Sequence, residues 1–171
     1  MVDVLISEVE IRVAVARLAV ALGREYHDKP LTVLGVMTGG LMFLADLVRL
    51  LDRPLQVGVV QASSYRQSAT TPGELRINDG FMPEIAGRDV LLLDDIFDTG
   101  QTLVAMLERL SHLQPASLKS AVLLWKEGRQ TVSATPDFHC FKIPDRFVVG
   151  YGLDYNNEYR HLPYVGVLSG M

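Results

Sequence analysis

Val90–Thr102, VLLLDDIFDTGQT, is the stretch whose reading decides the fold. Its first four residues are apolar, as in a strand buried on both faces of a parallel sheet. Asp94 and Asp95 follow at the end of that strand, where burial without partners would cost several kcal/mol. Then Asp98-Thr99-Gly100-Gln101-Thr102, small and polar, opens a helical pattern that runs from Gly100 to Leu113. Backbone N–H groups at a helix start, with the Thr99 and Thr102 hydroxyls beside them, suit a phosphate dianion. Gly100 lets the backbone come close to it without a Cβ in the way. Two neighbouring carboxylates upstream suit two sugar hydroxyls, each donating one hydrogen bond. Phosphate at one end and diol at the other describe a ribose 5-phosphate. Isolated Asp and Thr residues at such a turn can simply cap the helix. An apolar strand, two acids and a helix in that order favour the ligand.

Outward from this segment the same alternation repeats. Ser7 and Glu10 have the form of a capping box, and apolar residues recur at helical spacing from Val9 to about Tyr26. His27-Asp28-Lys29-Pro30 ends that helix. Leu31–Val36 reads as a buried strand, Thr38-Gly39-Gly40 as a turn, and Leu41–Leu51 as a helix. Leu55–Ala62 is a second strand, Ser63–Gly73 a long polar loop, and Glu74–Ile77 a short strand leaving it. Asp89–Leu93 and Ser117–Trp125 are further strands. Beyond Gly128 the pattern loosens, with short runs at Phe147–Tyr151 and Tyr164–Leu168. The expectation is an α/β fold with a mainly parallel central sheet flanked by helices, binding its ligand beyond the carboxyl ends of the strands.

The bulk properties narrow the class. A chain of 171 residues with 49% hydrophobic residues fits one domain with a covered core. A net charge of −4 speaks against a broad nucleic-acid-binding surface. Cys140 is the only cysteine, so an intrachain disulfide is impossible and a Cys-rich zinc site is not expected. MVDVLISEVE lacks the form of a signal peptide, and no apolar run approaches the ~20 residues of a membrane span. The expected setting is cytoplasmic, with no membrane partner. His27, His112, His139 and His161 form no metal-ligand spacing.

VLLLDDIFDTGQTL resembles the phosphoribosyl-pyrophosphate signature of the type I phosphoribosyltransferases. Asp98 within it is similar to the residue of the 6-oxopurine branch; the adenine and orotate branches usually carry another residue there. The resemblance runs from about Ile6 to the C-terminus and implies the family's fold. The central sheet would span about 28–127, and a small hood lobe would come from about 1–20 and 128–171. It implies transfer of the 5-phosphoribosyl group to N9 of hypoxanthine or guanine, with Mg2+ as cofactor.

Within that resemblance, Asp94 and Asp95 hold the ribose hydroxyls. Asp98, Thr99, Gly100, Gln101 and Thr102 bind the 5-phosphate. Asp98 also handles the purine proton as general base, or stabilises charge without accepting it. Val36-Met37-Thr38-Gly39-Gly40 resembles the pyrophosphate loop, with a cis bond expected between Met37 and Thr38. Thr38 stands where the family usually has Lys, which removes one cation. Ser63-Ser64-Tyr65 is similar to the start of the mobile lid, Ser64 and Tyr65 being its closing pair, although Arg66 replaces the usual Gly. Lys126, at a strand's carboxyl end, can be merely solvated; the resemblance assigns it to the purine 6-oxo group.

Pro144–Asn156, PDRFVVGYGLDYN, resembles the family's C-terminal signature. It implies that Phe147 stacks on the purine, that Val148 offers backbone groups to its edge, that backbone carbonyls near Val148 and Asp154 meet its 2-substituent, and that Asp154 holds Mg2+ together with Asp94 and Asp95. Arg160 is the implied pyrophosphate ligand; Asn157-Glu158-Tyr159-Arg160 departs from the common order but keeps its spacing from Asp154. A dimer or tetramer is the expected assembly. Two other classes share the loop. A nucleic-acid-binding regulator is disfavoured by Asp98, by the purine-site residues and by the lack of a basic arm. A phosphoribosyl-pyrophosphate synthetase is disfavoured because it would be longer, with two similar halves.

Overall fold

Leu31–Met37 forms β2, and six of its seven residues are buried because the sheet is covered on both sides. In this computed structural model, which describes residues 2–64 and 75–169, β2 lies at the centre of a six-stranded sheet. The other members are β3 (Gln56–Ser64), β4 (Leu75–Phe81), β5 (Asp89–Phe97), β6 (Ser117–Lys126) and β7 (Phe138–Ile143), in the order β4-β3-β2-β5-β6-β7. All neighbours pair in parallel except β3 with β4. The α/β expectation is met.

Side chains of β5 alternate between two cores, as the two-residue period of a strand requires. Leu91 and Leu93 join the cluster that holds Ile11, Val15, Phe43 and Leu47 from α1 (Glu8–Glu25) and α2 (Leu41–Val48). Val90 and Leu92 join Leu103, Met106 and Leu110 of α3 (Gln101–Ser111) on the opposite face. The capping box at the start of α1 is present: Ser7 N–H donates to Glu10 Oε2 at 2.8 Å, and Glu10 N–H donates to Ser7 Oγ at 3.3 Å. Each half satisfies a backbone donor that helix geometry leaves over.

A second sheet of three antiparallel strands is built from residues far apart in the chain. β1 (Val2–Ile6) pairs with β9 (Val165–Leu168), which pairs with β8 (Val148–Val149). Meanwhile α1 packs on the large sheet, and β7 extends that sheet although its residues follow Gly128. The small sheet therefore uses only β1, β8 and β9 among the described residues. β5 is also longer than its apolar run. Its backbone stays paired with β6 through Asp94, opposite Val122, to Phe97, opposite Trp125. Asp94 and Asp95 thus lie inside the strand, not beyond it. No described helix is long and apolar enough to cross a membrane.

Candidate active site

The carboxyl ends of β2 and β5 open onto one cavity of about 260 Å3. Gly39, Asp94, Asp95, Asp98, Thr99, Gly100 and Thr102 line it, backed by Val36, Phe97 and Leu103. Residues expected at the two ends of a ribose 5-phosphate are therefore brought together. The turn into α3 is made by Gly100 at φ +86°, a left-handed conformation that glycine adopts without a Cβ penalty. Gly100, the N-cap residue, brings no capping side chain; of the first-turn N–H groups only that of Gln101 is taken by a side chain among the described residues, donating to Thr99 Oγ1 at 3.4 Å, and those that follow suit an anion at the cavity. Gln101, expected to help hold the phosphate, turns its amide to Thr131 Oγ1 at 3.2 Å.

Asp94 is only 8% exposed, and its neighbour Asp95 is partly buried. Burial pushes the Asp94 carboxyl well above the usual carboxylate range, and the charge of Asp95 pushes it further. Burial also raises Asp95, but hydrogen bonding from Asp94 and the nearby Arg160 guanidinium oppose the rise. Asp94 Oδ1 in turn accepts the Asp95 N–H at 2.9 Å.

A stability prediction follows from the direction of that shift. A carboxyl whose folded pKa is raised contributes stability that is present below the ordinary carboxylate range and lost as pH rises through the folded value. Asp94→Asn keeps the shape and cannot ionise. It should therefore be more stable than the parent at neutral pH by roughly 1–2 kcal/mol, or about 2–8 °C in Tm. The difference should vanish near pH 4. Thermal unfolding of both proteins across pH checks this; a difference that does not change with pH would refute it.

On the β2 side, the Met37–Thr38 bond is cis, as expected. Thr38 is exposed and Gly40 buried, with Gly40 N–H donating to Val36 O at 2.9 Å. Gly39 is held between two segments. A Cβ built on it would lie 1.8 Å from Asp95 Oδ2, and one built on Gly152 would lie 2.0 Å from Gly39 O. The Thr38–Gly40 turn, the acidic strand and the segment before Asp154 therefore meet at a point where only backbone fits. The Gly152 N–H donates to Arg160 O at 3.0 Å, and the Arg160 guanidinium binds Gly152 O and Asp154 Oδ1, the latter at 2.7 Å. Asp154 Oδ2 accepts the Asn157 N–H at 2.9 Å.

Lys126, at the end of β6, has a side chain only 9% exposed. Its Nζ lies 3.5 Å from Asp98 Oδ2 and 3.6 Å from Asp145 Oδ1. Arg129 and Asp145 take part in this cluster, and sequence reasoning missed both. The second contact draws the segment carrying Phe147 and Val148 toward the Asp98 loop. The Phe147 ring is 44% exposed and meets Tyr155 edge-on at 5.7 Å. Val148 is buried in β8 opposite Val167. Ser64 ends β3; its side chain and Tyr65, the expected closing pair of the lid, lie outside the described residues.

The donor set suits Mg2+. Among the described residues no three His, Cys, Asp or Glu side chains are grouped to enclose a metal. The hard carboxylate oxygens of Asp94 and Asp95, which line the cavity, fit an ion that binds through one or two carboxylates plus water and substrate oxygens, whereas Asp154 Oδ1 is paired with Arg160 at 2.7 Å.

The family model described as the phosphoribosyl transferase domain matches residues 7–156. A hypoxanthine-guanine phosphoribosyltransferase of Bacillus subtilis is 41% identical over 166 residues, 97% of this chain and 92% of that one. A hypoxanthine-guanine phosphoribosyltransferase from Bacillus anthracis, solved with HEPES in the active site, superposes with a TM-score of 0.91 at 33% identity, covering 97% and 98% of the two chains. The Trypanosoma cruzi hypoxanthine phosphoribosyltransferase, solved with the product IMP, gives a TM-score of 0.89 at 34% identity, covering 98% and 94%.

Proposed function

The chain belongs to the phosphoribosyl transferase family, and on that premise we propose how its residues carry out purine salvage. The reaction moves the 5-phosphoribosyl group from 5-phosphoribosyl 1-pyrophosphate to N9 of hypoxanthine or guanine, giving IMP or GMP and pyrophosphate. The observation that carries this reading is the buried Lys126 ammonium beside Asp98, on the edge of the cavity built for a sugar phosphate. It joins a donor for a base carbonyl to a group that can receive the base's proton.

The α3 start, with Thr99 and Thr102, holds the 5-phosphate, and Asp94 and Asp95 orient the 2- and 3-hydroxyls. The C1–pyrophosphate bond breaks as the sugar gains oxocarbenium character, stabilised by the carboxylates around it. Thr38, Gly39 and Gly40 bind the departing pyrophosphate with Arg160. Asp154, Asp94 and Asp95 would hold Mg2+, which would supply positive charge beside the leaving group. Phe147 stacks on the purine, Val148 presents backbone groups to its edge, and N9 closes on C1. Asp98 takes the proton that leaves the imidazole ring. Lys126 donates to the 6-oxo group, which rejects adenine because adenine presents an amino donor there. The 171 residues act as a single domain, with the three-stranded sheet as its hood, and assemble as a dimer or tetramer in the cytoplasm.

A steady-state assay with hypoxanthine, guanine, xanthine and adenine, with and without Mg2+, tests the reading. Hypoxanthine and guanine should be used at least about 100-fold better than adenine, because an unpaired buried donor costs a few kcal/mol. Lys126→Met should raise KM for both 6-oxopurines by about 10-fold or more. Preference for adenine by the parent protein would overturn the assignment of Lys126.

A further inference from the structure

Asp98 and Lys126 are two corners of a closed square of charge whose other corners have no role in the reaction described above. Asp98 Oδ1 accepts from Arg129 Nε at 3.1 Å, and its Oδ2 faces Lys126 Nζ at 3.5 Å. Asp145 mirrors this arrangement, with Oδ2 3.4 Å from Arg129 Nη1 and Oδ1 3.6 Å from Lys126 Nζ. Each carboxylate therefore bridges both cations, one oxygen to each. The contacts are not equal. Only the Arg129–Asp98 contact lies within ordinary N–H···O hydrogen-bond length; both Lys126 contacts are longer.

That difference matters once a purine arrives. If Lys126 donates to the base, it turns away from Asp98, and the carboxylate loses one of its two cations just when its direction counts. Arg129 does not have to move. The residues after it hold the same loop: Gln130 Nε2 donates to Asp98 O at 3.0 Å, and Thr131 N–H donates to Thr99 O at 3.0 Å. Residues 129–131 thus bind the Asp98–Thr99 loop across its outer side, by one side-chain carboxylate and two backbone carbonyls.

We propose that Arg129 is a positioning residue for the transfer, fixing the Asp98 carboxylate through Nε, and that Asp145 moderates it by drawing both cations partly away from Asp98. The proposal rests on the reading of Asp98 as proton acceptor. The charged groups that bear on Asp98 are Lys126 from β6, Arg129 from the loop after it, Asp145 from the segment before β8, and Asp94 and Asp95 in the shared cavity. A cation beside a carboxylate favours its ionised form and a second carboxylate disfavours it. Removing Arg129 and removing Asp145 therefore act in opposite directions.

The experiment follows the single-turnover rate of IMP formation by the full chain across pH, with saturating 5-phosphoribosyl 1-pyrophosphate and Mg2+. Arg129→Ala should move the midpoint of the acidic limb up by roughly half a unit and lower the plateau rate about 3- to 10-fold, with KM for hypoxanthine changed less than about 3-fold. Arg129→Lys should return the limb toward the parent position without restoring the plateau, because a flexible ammonium does not reproduce the planar donor. Asp145→Asn should move the limb down by a few tenths of a unit. Where Arg129→Ala lowers Tm by more than a few degrees, Arg129→Gln replaces it and must also move the limb up. Limbs that stay in place, or that move the same way in the Arg129 and Asp145 variants, overturn the proposal. Asp98→Asn separates the two levels: a parent-like rate and limb in that variant would overturn the reading of Asp98 itself.

Discussion

Asp98→Asn should lower the single-turnover rate of nucleotide formation by roughly 100- to 10,000-fold, the range of a lost general base. An amide has nearly the shape of a carboxylate, and the N–H groups at the start of α3 are untouched. Affinity for the sugar pyrophosphate should therefore change by less than about 3-fold. That split is the useful part of the result, since an effect confined to the chemical step identifies a group acting in the transition state. Rapid-quench measurements with one enzyme equivalent avoid the masking that slow product release imposes on kcat. An unchanged single-turnover rate would leave Asp98 with a purely structural part, since the amide carries neither the basicity nor the charge of the carboxylate. A large loss of sugar-pyrophosphate affinity would instead assign it to the phosphate loop.

Gly39→Ala should be nearly as damaging, for a reason that is all packing. Its Cβ would sit 1.8 Å from Asp95 Oδ2 and 2.5 Å from Asp95 Cγ. Asp95 is short and leaves β5 in a fixed direction, so either it swings away from the ribose hydroxyls or the Thr38–Gly40 turn retreats. The second path is obstructed by Gly152, whose α-carbon lies against the Gly39 carbonyl. Overpacking of this kind costs about 1–3 kcal/mol of stability, and a shift of about 1 Å at a reacting group costs on the order of 100-fold in rate. We expect kcat/KM for the sugar pyrophosphate to fall about 100-fold and Tm to drop by several degrees. Activity within a factor of about 3 of the parent would mean that Asp95 can rotate without consequence, and that the direction of its side chain has no part in holding the sugar.

Much of the fold was legible because its signals are local. The capping box at Ser7 and Glu10, the turn at Thr38–Gly40 and the step from apolar strand to acids to helix at Val90–Thr102 all declare themselves within a few residues. Other parts were legible only in outline. β5 reads as ending at Leu93, since two aspartates look like an exit from the sheet. In the structure β6 runs beside it as far as Phe97, so the backbone stays paired while the carboxylates reach the cavity. β7, FHCFKI, mixes polar and apolar residues because it is an edge strand with only one side against the core. β1, with only five residues, has meaning only once β9 lies beside it.

The candidate site divides in the same way. Asp94, Asp95, Asp98 and Lys126 follow from a strand-end pattern and from the resemblance it carries. Arg129 and Asp145 have no such signature. They meet across 16 residues of chain, through side chains about half exposed, and nothing in a linear reading brings them together. Gly39 is intermediate. Its glycine was evident, but the atom that forbids a side chain there belongs to a strand more than fifty residues away.

The pairing of β1 with β9 also has a consequence for the order in which the protein is made on the ribosome. The large sheet has all its strands once Ile143 has been synthesised, and each of its parallel crossovers closes over a modest length of chain. The small sheet cannot do this. β1 precedes every strand of the large sheet and must wait, its edge unpaired, until Leu168 has been synthesised and β9 can slot between it and β8. The Phe147–Val148 wall expected to meet the purine is therefore assembled late, over the strand ends of β2, β5 and β6 that are already in place.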